Sequence, residues 1–64
     1  MNEKEKADYI RISRVSDAIA CVRLETENEN AQALLDAAYD ETLRAMKEIS
    51  AEQFAKDHYS IDVE

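Results

Sequence analysis

Cys21 and Glu25 stand four residues apart in the stretch "AIACVRLETENEN", residues 18 to 30. Four residues is just over one helical turn, so on a helix the thiol and the carboxylate share a stripe of surface. Arg14 and Ala18 continue that stripe towards the N-terminus. A thiol acts as a nucleophile only with a base and an anion-stabilising group at hand. The one histidine, His58, lies far along the chain and reads as a surface or interface residue, and Cys21 with His58 lacks the spacing of a metal site. Glycine, which would shape a tight catalytic pocket, is absent. These residues therefore argue against an enzyme, a metal site and a cofactor site, and leave two readings of the stripe. In one, Glu25 is a solvated charge and Cys21 a small apolar contact for a neighbouring helix. In the other, Glu25 is offered to an arginine on another protein, and the small Cys21 lets that surface come close. A carboxylate near a helix C-terminus opposes the helix dipole, so Glu25 is not there to stabilise its helix. Arg23 falls roughly opposite and is expected to meet solvent or a partner's surface.

Three helices must position this stripe. The first spans about residues 3 to 25, capped by Asn2 with Glu5 three positions on, a variant of the capping box. Ile12, Val15, Ile19 and Val22 form its core stripe, with Ala18 at the edge. Ile10, Cys21 and Leu24 make a second apolar side. A helix apolar on two sides asks to be buried on two sides, which a 64-residue chain can hardly provide alone. The polar turn "TENEN" follows, with Asn28 and Asn30 suited to cap or turn conformations. The second helix covers residues 31 to 47, with Ala31, Leu35, Ala38, Tyr39, Thr42 and Met46 on one stripe and Leu43 at its edge. The third is short, residues 50 to 59, opened by an S-x-x-Q box of Ser50 and Gln53 and a staple of Ile49 on Phe54. Tyr39, Met46 and Phe54 are expected in the core between the last two helices, and Tyr9 and Tyr59 half-buried at interfaces. The fold expected is all-α, one small three-helix domain over residues 1 to 64, ordered against a partner.

Charge and composition narrow the partners. Residues 1 to 25 carry five basic and five acidic groups, so the whole net charge of −7 falls on residues 26 to 64. Such an acidic body is a poor match for nucleic-acid phosphates or an anionic membrane surface, and suits a basic protein surface. No apolar run is long enough to span a bilayer, and the charged start "MNEKEKADY" lacks the apolar core of a secretory signal. With a single cysteine the expected compartment is the reducing cytoplasm.

The segment "AIACVRLE", followed by a polar turn and a second amphipathic helix, resembles the free-standing antitoxins of FIC-domain AMP-transferases, the VbhA and FicA kind. Their inhibitory helix carries Ser/Thr-x-x-x-Glu-Gly/Asn within a string such as "ASxRLEG". Ala20, Arg23, Leu24 and Glu25 match that string, while Cys21 replaces its Ser/Thr and Thr26 its Gly/Asn. The similarity is good over about Arg14 to Thr26 and extends in helix order to about Tyr59. The resemblance implies a non-catalytic bacterial antitoxin that binds a FIC-domain AMP-transferase. Glu25 would pair with the arginine meant for the ATP γ-phosphate, with Cys21 as its packing neighbour. Ile10, Arg14, Ala18, Val22, Leu24 and Thr26 would form the surrounding partner interface. A thiol keeps the size of a hydroxyl but hydrogen-bonds weakly, and β-branched Thr26 disfavours the positive φ that glycine would allow at a helix end. The same composition also fits a helical self-association or assembly module that needs no Glu25.

Overall fold

The computed structural model describes residues 1–58, and over them the fold is all-α: α1 (Glu3–Glu25), α2 (Glu29–Ile49) and α3 (Ala51–His58). α1 and α2 form an antiparallel hairpin, and α3 turns back against α2. Tyr59 lies outside the described residues.

Local capping chemistry fixes the helix starts. Asn2 accepts from the Glu5 backbone N–H at 2.8 Å and its own N–H donates to Glu5 Oε1 at 3.0 Å, a complete capping box. Such a cap stabilises a helix by about 1 kcal/mol. Asn28 caps α2 by accepting from the Ala31 N–H at 2.9 Å, which starts that helix at Glu29, two residues before the expected Ala31. At the far end α2 runs on past Lys47 to Ile49. Ser50 then ends one helix and begins the next: its N–H donates to Met46 O at 3.0 Å, and its Oγ accepts from the Gln53 N–H at 3.1 Å. Only half of the Ser50–Gln53 box forms, because the Ser50 N–H that the Gln53 side-chain oxygen would accept from is given to Met46 O; the Gln53 amide donates to Asp57 Oδ1 at 2.9 Å. The Ile49–Phe54 staple is present, with Ile49 packed on the core cluster.

Tyr9, Met46 and Phe54 are the buried apolar side chains, with Ile12, Leu43 and Ile49 packed round them. The α2 stripe is as expected: Ala31, Leu35, Ala38, Thr42 and Leu43 are half-buried and Met46 is fully buried. The α1 stripe differs. Val15 and Val22 are 50% and 52% exposed, and Ala18 is exposed too. The inward face of α1 instead runs through Tyr9, Ile12, Ser16, Ile19 and Arg23. Two contacts explain this rotation. Tyr9 reaches across to α3, where its hydroxyl donates to Asp57 Oδ2 at 3.1 Å. Ser16, only 4% exposed, presents a small side chain at the seam, where a valine would hold the helices apart. Tyr9 is thus buried, not half-buried, and Tyr39 sits half-buried at the α1–α2 seam beside Arg23 and Leu24 instead of between α2 and α3. His58 is exposed and stacks on Phe54 with ring centroids 4.2 Å apart.

No helix among the described residues is long and apolar enough to cross a membrane.

Candidate protein-interaction site

Arg14, Ala18, Cys21 and Glu25 are all exposed. At 3.6 residues per turn they lie within about 60° of one another, on the side of α1 directly away from α2. The inward face of Tyr9, Ile12, Ser16, Ile19 and Arg23 is their opposite. Cys21 is a free, exposed thiol. Glu25 is the last residue of α1 and enters none of the three ion pairs among the described residues, which join Arg11 to Asp8, Arg23 to Asp36 and Arg44 to Glu41. Arg14 likewise makes none of these pairs. The stripe therefore presents a carboxylate and a guanidinium to the outside, with two small side chains between them.

The helix end that carries Glu25 is firmly built. Thr26 closes α1 in an extended conformation, φ −88° and ψ 129°, with no left-handed residue. Its Oγ1 donates back to Val22 O at 2.7 Å, and its own carbonyl accepts from the Gln32 amide of α2, also at 2.7 Å. Of the last-turn carbonyls that a glycine cap would satisfy, Val22 O is thus served by the Thr26 hydroxyl and Arg23 O by the Thr26 N–H at 3.3 Å, while the Gln32 amide ties the cap residue to α2. This turn uses Thr26 itself, so its side chain is committed to the fold and only half-exposed.

Arg23 turns towards α2, where its Nε donates to Asp36 Oδ1 at 2.9 Å, and it stays partly exposed. Pairing across the hairpin keeps the one cation of the last α1 turn off the Glu25 stripe. The pair is 36% and 59% exposed, so its own contribution is small, well below about 1 kcal/mol. Its effect is positional.

The other interface candidates do not share one face. Leu24 is 83% exposed and Ile10 43%, on one flank of the stripe, while Val22 lies on the other. Leu24 rims a concavity of 260 Å³ with Ala20, Arg23, Asp36 and Tyr39. Ile10 and Arg14 rim a larger one of 460 Å³, completed by Lys6, Tyr9 and the α3 residues Gln53 and Asp57. Sequence reasoning missed both concavities, because each needs a side chain from α2 or α3. It also missed Leu34, 73% exposed on α2, although only one of the adjacent Leu34 and Leu35 can face inward.

Tyr9 holds its phenol inside the core. Burial pushes its phenol up to about 12, and the hydrogen bond to the Asp57 carboxylate and the charge of that carboxylate add to the rise. No group of three or more His, Cys, Asp or Glu side chains among the described residues could hold a metal ion. No protein-family model, curated protein or solved structure matches this chain.

Proposed function

We propose that this protein is an antitoxin that binds a FIC-domain AMP-transferase and blocks AMP transfer by placing Glu25 on an ATP-binding arginine. One observation carries the reading: Glu25 ends a 23-residue helix on its outward face, in no ion pair among the described residues, with Cys21, Ala18 and Arg14 exposed on the same stripe. A carboxylate in that position is free to accept both donors of a guanidinium fork. Arginine binds carboxylate and phosphate through the same planar donors, so the two compete. Once the pair is enclosed between two proteins, breaking it leaves a buried charge unpaired, which makes the exclusion of a phosphate strong. In-line phosphoryl-type transfer depends on positioning, and a displacement of about 1 Å costs roughly 100-fold in rate.

Cys21 on this reading is the close-packing neighbour of Glu25, one turn back. Ala18, small and exposed, lets the partner approach the helix backbone. Ile10, Arg14, Val22 and Leu24 are the surrounding contacts, and Thr26 sets the angle at which the helix ends. The acidic second half of the chain favours a basic partner surface over nucleic acid or an anionic membrane, and the site of action is the cytoplasm.

The test is an AMP-transfer assay on a FIC-domain enzyme encoded beside this protein, with wild type and with Glu25→Gly. Wild type suppresses transfer, and Glu25→Gly forms the complex but restores transfer by at least about tenfold, the factor that losing one charge-assisted pair implies. Equal inhibition by both would refute the role of Glu25 even if the two proteins bind.

A further inference from the structure

One flank of α1 carries two concavities that are not explained by the Glu25 stripe. Their exposed apolar rims are Ile10 and Leu24, 43% and 83% exposed. These are fourteen residues apart, four turns or about 21 Å along the helix, and lie within about 40° of each other around it. The flank between them is polarised. Lys6 and Arg14 border the Ile10 concavity, and neither enters an ion pair among the described residues. Asp17, on the same flank, and Glu27, in the turn beyond Leu24, are exposed and unpaired in the same sense. The flank therefore carries basic groups at Lys6 and Arg14, with the Asp57 carboxylate on the far wall of that concavity, and acidic ones at Asp17 in its middle and Glu27 at its other end, with an apolar side chain and a concavity near each end.

Such a surface is complementary to itself when reversed. We propose that this flank of α1 pairs with the same flank of a second copy, antiparallel about a two-fold axis at Asp17. Leu24 of each chain then enters the 460 Å³ concavity beside Ile10 of the other. Lys6 of each chain meets Glu27 of the other, and the two Arg14 guanidinium groups flank the two Asp17 carboxylates at the axis. The contact is isologous, so it closes at two copies. A face of this length buries less than the roughly 800 Å² per partner of stable complexes, which makes the dimer weak and exchangeable. The net charge of −7 also opposes association, but it resides in residues 26 to 64, while α1 itself is balanced. The dimer would cover Ile10, Arg14 and Leu24, so it competes with any heterologous partner that uses them.

Sedimentation velocity on the protein alone tests this, and no toxin or AMP transfer enters the experiment. Wild type is expected to show reversible, concentration-dependent dimerisation between about 10 µM and about 1 mM, the range that a face of this size supports. Leu24→Glu weakens it at least about tenfold, the worth of one buried leucine, while circular dichroism shows unchanged helicity. Arg14→Asp and Asp17→Arg are each monomeric alone, because each sets four like charges round the axis, and an equal mixture of the two associates again. A wild type that stays monomeric throughout would overturn the proposal. So would Leu24→Glu that dimerises like wild type, or a mixture that stays monomeric.

Discussion

Replacing Tyr9 with phenylalanine isolates one hydroxyl that ties α1 to α3. The ring remains to fill the core with Met46 and Phe54, and only the bond to Asp57 Oδ2 is lost. Asp57 is exposed and keeps the Gln53 amide on its other oxygen, so no buried acceptor is orphaned. The loss at pH 7 is then that of one ordinary hydrogen bond to a charged acceptor, about 1 kcal/mol. In a domain of this size that lowers the melting temperature by roughly 4–8 °C. The pH dependence is more telling. An unfolded tyrosine titrates near 10, whereas Tyr9 in the fold is pushed up to about 12. Between those values the unfolded chain has released a proton that the native state still holds, so stability falls as pH rises. The Tyr9 contribution is complete below pH 10 and gone above about 12, a loss of at most roughly 3 kcal/mol. Tyr9→Phe lacks this titration while sharing every other alkaline change. Wild type is therefore more stable at pH 7, the two draw level near pH 11, and the variant is the more stable by pH 12. Urea melts followed by circular dichroism at pH 7, 10, 11 and 12 measure the difference. A difference that stays constant from pH 7 to pH 12 would show that the buried phenol and its carboxylate partner do not govern this junction.

Other expectations follow from the same packing. Met46→Ala removes the most buried side chain, 2% exposed, and should cost about 2–5 kcal/mol, enough to unfold so small a domain in a thermal melt. Asn2→Ala removes the side-chain acceptor of the α1 capping box, leaving only the backbone N–H that donates to Glu5, and should cost about 1 kcal/mol, with faster amide hydrogen exchange confined to the first turn of α1. Arg23→Ala opens a half-exposed ion pair and should change stability by less than about 0.5 kcal/mol in urea melts at physiological salt.

The helices themselves were legible because their signals are local. Asn2 with Glu5, Asn28 and Ser50 each mark an end within three residues of sequence, and the α2 stripe recurs with helical period over its whole length. The facing of α1 was not legible, for a physical reason. Its apolar residues at 10, 12, 15, 19, 21, 22 and 24 cover most of the helix circumference, so periodicity selects no single inward side. The choice is made by partners distant in sequence: Tyr9 finds Asp57, 48 residues on, and Arg23 finds Asp36. Neither pair leaves a local pattern. The rotation they impose also turns Val15 and Val22 outward, where a stripe analysis would have buried them.

That rotation bears on how fold and function are divided along α1. The hairpin spends a narrow strip of the helix on its own core, the strip holding one tyrosine, one small serine and an arginine paired inside the molecule. Arg14, Ala18, Cys21 and Glu25 could be read as one stripe from spacing alone, but which way that stripe points depends on the strip opposite it. With Tyr9 and Ser16 inward, the Glu25 stripe must face out; with Val15 and Val22 inward, it would have been turned towards the edge of the hairpin. Substitutions at Tyr9 or Ser16 would thus act on the aim of Glu25 without touching it, while those at Ala18 or Cys21, which are exposed, would act on the proposed contact and leave the fold intact. A partner bound to the outward stripe, as proposed above, would meet only the folded chain and would add by mass action to the stability of a core that has three buried apolar side chains among the described residues.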